Sequence, residues 1–214
     1  MTATTVQERV ESSGVVAIVR LADYSAAVDV AKALLQGGIS VVEFTYTNPR
    51  AGQAIEQVKA SLGDAVFAGA GTVLDPETAR AAILQGADFV VTPTVRIETV
   101  RLCQRYGVPT IIGALSPTEI LTAWEGGATF VKVFPAGAIG PTYLKDVAGP
   151  LPHIPLIPTG GVDVDNAGAF IAAGARAIAV GGNLVDRETV ENAHWGVLTS
   201  RAESFITAVS GARA

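Results

Sequence analysis

The 214-residue chain has one cysteine, two histidines, four lysines and no run of basic residues. Each scarcity excludes something. A single cysteine, Cys103, cannot close an internal disulfide and fits a reducing compartment. No histidine or basic cluster lies near it in sequence, so it reads as a core thiol. His153 and His194 fall in loop-like stretches without metal-ligand spacing, and no metal is expected. A net charge of -5 with no basic stripe argues against a nucleic-acid groove or an anionic membrane surface as the main partner. Any phosphate must therefore be held locally. No apolar run approaches bilayer length, and Glu8, Arg9, Glu11, Arg20 and Asp23 interrupt the place where a signal-peptide core would lie. A cytoplasmic protein is expected.

What is present is a globular composition, 49% hydrophobic against 16% charged. No linker or low-complexity segment divides it, and residues 1–214 are expected to form one domain. Thr5 to Glu8 is a capping box opening a first helix that ends at Gly14, so residues 1–14 form an N-terminal helical segment. The strand VVAIVR then delivers Arg20 to a loop. A helix is expected over Ser25 to Gln36, with Val28, Ala31, Leu34 and Leu35 on one face, followed by the strand ISVVEF. The alternation continues: VFAGA, then a helix begun by Asp75 and Pro76; DFVVT; PTIIG; a helix capped by Ser116 and Glu119; FVKVF; IPLIP; AIAVG. Eight strand signals alternating with helices predict an α/β fold, a (β/α)8 TIM barrel, over the alternative of a six-stranded open sheet. Residues 185–214, with Trp195 and a capping box from Ser200 to Glu203, read as a closing helical segment.

Four helix-to-strand junctions repeat one pattern. Counting six residues from the first glycine of each (Gly37, Gly86, Gly126, Gly174) lands on Glu43, Thr92, Lys132 and Val180, on strands two, four, six and eight. Alternate strands of a (β/α)8 barrel supply the four side chains of one interior layer, so these residues are expected to share a layer. Glu43 would then face Lys132 across the barrel.

Lys132 sits within the apolar run Phe130, Val131, Val133 and Phe134, where lysine is rare without a reason. A lysine in an apolar pocket facing a carboxyl is the equipment for imine catalysis: the neutral amine condenses with a ketone, and the acid moves protons. A buried Glu43–Lys132 ion pair without chemistry is the alternative, although such pairs seldom improve on apolar packing. The PTGG loop (Pro158 to Gly161) and the VGGN loop (Val180 to Asn183) follow strands seven and eight, where barrels commonly hold phosphate; tight turns are the plainer reading. In the loop GAGTV, Thr72 is placed to hold a carboxylate together with Arg20, unless Arg20 merely pairs with a surface acid.

GAGTV, the strand E-F-T, the segment FVKVFPA and the PTGG loop, in this order, closely resemble the 2-keto-3-deoxy-6-phosphogluconate (KDPG) aldolases, which include the 4-hydroxy-2-oxoglutarate (KHG) aldolases. The resemblance runs from Val15 to Leu184. It implies a class I aldolase, usually a homotrimer, that cleaves the phosphorylated keto acid to pyruvate and glyceraldehyde 3-phosphate with no cofactor beyond an imine on its own lysine. It further implies Lys132 as the imine residue, Glu43 as the proton-transferring carboxyl, and Arg20, Thr72, Thr47, Pro93 and Phe134 at the substrate. Gly160, Gly161, Gly181, Gly182 and Asn183 would hold the phosphate. The chain departs from the pattern after Glu43: some family members carry an arginine four residues on, where this chain has Thr47, and Arg50 or Arg20 is left to substitute. A relative acting on the galactonate epimer has a loop of similar shape.

Overall fold

Strands buried on both faces need no polar alternation, and the strands here have none. The computed structural model describes residues 5–213. The described residues form eight strands: β1 (Val15–Val19), β2 (Val41–Thr45), β3 (Phe67–Gly71), β4 (Val90–Val91), β5 (Thr110–Ala114), β6 (Phe130–Val133), β7 (Leu156–Pro158) and β8 (Ile178–Val180). All pair in parallel, in the order β7-β6-β5-β4-β3-β2-β1-β8. A bridge from Thr159 to Ala179 joins the two edge strands, closing the sheet into the expected barrel. Around it run α2 (Ala27–Gln36), α3 (Ala51–Leu62), α4 (Pro76–Leu84), α5 (Ile97–Arg105), α6 (Pro117–Glu125), α7 (Gly140–Ala148) and α8 (Val164–Ala172).

The interior is a separate apolar cluster containing Val16, Ile18, Val41, Phe89, Val91, Ile111, Phe130, Ile157, Ala177 and Ala179, while the intervening strand residues face the helices. α1 (Val6–Ser13) supplies Val6 and Val10 to the inner cluster. It is opened by the Thr5–Glu8 capping box and stopped by Gly14 at φ 70. Arg9 donates to Ser40 Oγ at 3.1 Å and lies 5.5 Å from the Phe67 ring, which fixes the helix against the starts of β2 and β3.

The layer argument holds for two strands and fails for two. Val91 and Ala179 are the inner residues of β4 and β8; Val180 belongs to the outer cluster, and Thr92 lies one position beyond Val91. The cause is the choice of glycine. The left-handed residue that stops each helix is Gly38, Gly86, Gly127 and Gly174, the second glycine of a Gly-Gly pair in two cases and the first residue of a Gly-Ala pair in the others. Five residues beyond each of these stand Glu43, Val91, Lys132 and Ala179. The positive-φ glycine, which turns the chain back toward the sheet, sets the register.

Two local expectations also change. Helix α2 begins at Ala27, because Ser25 turns back to Asp23, its hydroxyl 2.6 Å from the carboxylate. After the short α9 (Arg187–Glu191), α10 runs unbroken from Trp195 to Arg213, so Ser200 and Glu203 lie inside a helix and form no cap. Backbone N–H groups there already have partners one turn earlier, which leaves nothing for a hydroxyl to cap. Gly37 admits this helix: a Cβ there would lie 2.5 Å from Ala202 Cβ. Lys59 is half-buried and pairs with Asp88 at 3.0 Å. Among the described residues no helix is long and apolar enough to cross a membrane.

Candidate active site

Strand alternation points Glu43 and Lys132 into the barrel. Val41 and Phe130, two residues before them, are interior, whereas Val42, Phe44, Val131 and Val133 face the helices. β2 and β6 are four steps apart around the sheet, so the two side chains enter from opposite walls. Lys132 is 6% exposed and Glu43 1%. Yet they form no ion pair: among the described residues no carboxylate oxygen lies within 4.0 Å of a Lys132 nitrogen. The amine lies 5.3 Å from the centre of the Phe134 ring, whose π-face attracts a cation without neutralising it.

Burial pushes the Glu43 carboxyl above its ordinary range, and the nearby charges of Lys132 and Arg20 only partly oppose this. Its Oε1 is fully buried and has no hydrogen-bond partner. Gly71 makes room for it, since a Cβ on that residue would stand 2.3 Å from Oε1. A carboxyl biased toward its protonated form and free of structural hydrogen bonds is suited to carry a proton back and forth.

A cleft of about 480 Å³ opens over Lys132 and is lined by Ile18, Arg20, Phe134, Thr159, Gly160, Gly161, Val162, Ala179, Gly181, Gly182, Asn183 and Val185. The barrel thus brings together eight of the residues singled out in the sequence: Lys132, Arg20, Phe134, the four glycines and Asn183. Gly160 and Gly161 are successive left-handed residues, at φ 84 and 75. The Asn183 side chain donates to the Val162 carbonyl at 2.8 Å, which ties the loop after β8 to the loop after β7. On the other side the Gly137 N–H donates to the Gly160 carbonyl at 2.7 Å, and a Cβ on Gly137 would come within 2.8 Å of Gly161 Cα. The loop after β7 is therefore braced both by the loop after β8 and by the turn after β6.

Thr47 lines a second, adjoining cleft with Arg20 and Arg50, not the Lys132 cleft. Glu43, Thr72 and Pro93 line neither. Thr72 has φ 57, a left-handed conformation that costs a non-glycine residue roughly 1–2 kcal/mol. Pro93 rests on the backbone of Gly113, the β5 residue registered against Lys132; a Cβ on Gly113 would lie 2.2 Å from the Pro93 carbonyl carbon. Sequence reasoning missed Gly71 and Gly113 as space-making residues and Gly137 as a loop brace. For Gly71 and Gly113 the available signal was glycine at interior strand positions, where nothing in a turn demands it.

The barrel is thus built around a buried amine and a buried acid that enter from opposite walls. The family model described as KDPG and KHG aldolase matches residues 6–200. A 2-dehydro-3-deoxy-phosphogluconate aldolase of Treponema pallidum is 35% identical over 96% of this chain and 98% of its own. The 2-dehydro-3-deoxy-6-phosphogalactonate aldolase of Escherichia coli is 35% identical over 71% of this chain and 75% of its own. The solved KDPG aldolase of Legionella pneumophila, in which pyruvate is captured as a covalent carbinolamine, superimposes with a TM-score of 0.87 at 28% identity, covering 94% of this chain and 98% of that one. The chain belongs to the KDPG and KHG aldolase family and is an aldolase.

Proposed function

We propose that the chain cleaves 2-keto-3-deoxy-6-phosphogluconate to pyruvate and glyceraldehyde 3-phosphate, and also 4-hydroxy-2-oxoglutarate to pyruvate and glyoxylate, through an imine on Lys132. The observation that carries this reading is the buried, unpaired Lys132 amine lining a cleft with two glycine loops. The neutral amine adds to the C2 ketone, and loss of water gives an iminium. Glu43 as carboxylate takes the proton of the C4 hydroxyl; the C3–C4 bond breaks, its electron pair enters the iminium to form an enamine, and the aldehyde leaves. Glu43 then returns a proton to C3, and water releases pyruvate and the free amine.

Arg20 and Thr72 hold the keto-acid carboxylate in this scheme, and Phe134 and Pro93 wall the pyruvyl unit. The backbone at Gly160, Gly161, Gly181 and Gly182, with Asn183, holds the phosphate, since paired glycine loops let N–H groups approach an oxyanion closely. The same reading makes the protein a cytoplasmic homotrimer, with the exposed Leu74 and Leu115 covered at the interface; a monomer mass by light scattering would count against that part.

Pyruvate with borohydride should fix one adduct per chain, mapped to Lys132 and absent from Lys132→Ala. Turnover without trapping would instead indicate a phosphosugar isomerase or epimerase chemistry and defeat the imine scheme. The similarity to the galactonate-epimer enzyme supports one competing substrate. Comparing kcat/KM for the two epimers decides between them.

A further inference from the structure

The two glycine loops beside Lys132 offer backbone N–H groups, and a backbone donor points only where its peptide plane is held. In a trans peptide the N–H points opposite to the carbonyl that precedes it, so a carbonyl tied back turns the next N–H the other way. In the loop after β7, Asn166 of α8 donates from Nδ2 to the Gly161 carbonyl at 2.9 Å, and the Gly137 N–H holds the Gly160 carbonyl. The donors turned by these two bonds are the N–H groups of Val162 and Gly161. In the loop after β8 the N–H groups of Leu184 and Val185 both donate to the Gly181 carbonyl at 2.9 Å, and the donor turned is the Gly182 N–H. Gly161, Val162 and Gly182 all line the Lys132 cleft, and their N–H groups have no partner among the described residues.

The loop after β8 is also tied from outside the cleft. Arg201, on α10, donates from Nη1 to the Leu184 carbonyl at 3.4 Å, and the same nitrogen pairs with the Asp186 carboxylate. Asp186 is itself fixed as the cap of α9, accepting the Thr189 N–H at 3.0 Å and the Thr189 hydroxyl at 2.6 Å. Hydrogen bonds from Thr189 and Arg201 hold its carboxyl well below the usual carboxylate range, so the pair stays charged in any workable buffer. The peptide between Leu184 and Val185 is therefore held at both ends, its carbonyl by Arg201 and its N–H by Gly181. Packing supplies nothing equivalent at Gly182, where a Cβ would meet no atom within 4 Å. Arg201 is no part of the Lys132 cleft. It lines a separate hollow of about 440 Å³ with Asp163, Asp186 and Phe205, and Gly182 and Asn183 form the wall between the two.

We infer that Arg201 is a positioning residue for phosphate: acting through the Leu184–Val185 and Gly181–Gly182 peptides, it aims the Gly182 N–H into the cleft and so sets the preference for phosphorylated over unphosphorylated keto acids. The inference rests on the aldolase reading and extends it from the glycine loop to the closing helix α10. A guanidinium that does not reach the ligand works by taking freedom from the donor that does, so that less ordering is left for the ligand to impose.

The test is Arg201→Met, with Arg201→Lys as the charge-retaining control. The side chain is 36% exposed, so methionine there leaves no buried void, and Asp186 keeps its two bonds from Thr189. Loss of one charged hydrogen bond from this relay should lower kcat/KM for the phosphorylated six-carbon keto acid about fivefold, chiefly through KM, and Arg201→Lys should recover most of it. For 4-hydroxy-2-oxoglutarate, which carries no phosphate, kcat/KM should equal the parent's, as should borohydride trapping of pyruvate. A general loosening of the fold would lower all three together; that result, or no change in any of them, would overturn the inference. Calorimetric titration with glycerol 3-phosphate, which has no ketone and cannot form an imine, reads the hold on phosphate alone. Weaker binding by Arg201→Met supports the inference even if Lys132 proves not to form the adduct. Equal binding by the two proteins, or none by the parent, refutes it even if Lys132 does.

Discussion

Replacing Gly71 by alanine tests the geometry of the proposed acid–base group without touching it. The backbone of Gly71 is not in the left-handed region, so alanine is conformationally acceptable there. Its methyl, however, would stand 2.3 Å from Glu43 Oε1 and 2.7 Å from Cδ, whereas ordinary contact begins at 3.4 Å. The carboxyl must retreat by about 1 Å, and a displacement of that size at a proton-transfer group costs about 10²-fold in rate. Overpacking of this kind costs about 1–3 kcal/mol of stability, which leaves a domain of this size folded at 25 °C. The assay is a steady-state measurement of pyruvate release alongside borohydride trapping. Gly71→Ala should lose about 10²-fold in kcat for cleavage while still giving the trapped pyruvate adduct, because Lys132 enters from β6 on the opposite wall. A kcat equal to the parent's would refute the role given to Glu43. Parallel loss of trapping and cleavage would show that the whole cleft had collapsed and would refute the geometric argument.

Glu43→Gln should abolish cleavage and remove the loss of stability that ionising a buried carboxyl brings as pH rises, since an amide there carries no charge to desolvate. The sign follows from the upward shift: between the unfolded and the higher folded pKa the unfolded chain holds fewer protons, so the parent loses stability as pH rises through that window, and a glutamine does not. Thermal melts of the two proteins should therefore diverge as pH rises; a constant difference across the window would contradict the burial argument. The acid limb of the kcat/KM profile should also lie above the ordinary carboxyl value of 4.5, and a limb at or below it would remove Glu43 as the base. Cys103 is buried, its thiol pushed up to about 11 by burial, and should resist alkylation at pH 8 until the protein unfolds; rapid labelling of the native protein would place it elsewhere.

Features that depend on a few neighbouring residues could be read directly from the chain. The caps at Thr5, Asp75 and Ser116 occur as expected, because a short side chain reaching its own helix start needs no tertiary information. The barrel was legible for a related reason: strand and helix signals alternate locally, and eight such units close in one way. Register was not, because Gly-Gly and Gly-Ala junctions look alike until the positive-φ residue is identified; Thr92 and Val180 were misplaced by that single position. The Ser200 box failed because a capping pattern is informative only at a helix start, and Trp195 had already begun the helix.

The candidate site divides along the same line. Charged residues in apolar strands, Glu43 and Lys132, announce themselves, because burying either is costly and composition alone makes them conspicuous. Glycines on the inner face do not, because a missing side chain has meaning only when something else takes its place. At Gly71 that something is the Glu43 carboxyl and at Gly113 the Pro93 backbone; in the turn after β6, Gly137 likewise leaves room for the Gly161 loop. Each of these pairs joins residues far apart in sequence. Of the residues that shape the cavity, then, the sequence could disclose those that place charge in it, while those that withdraw volume emerged only once their partners were known.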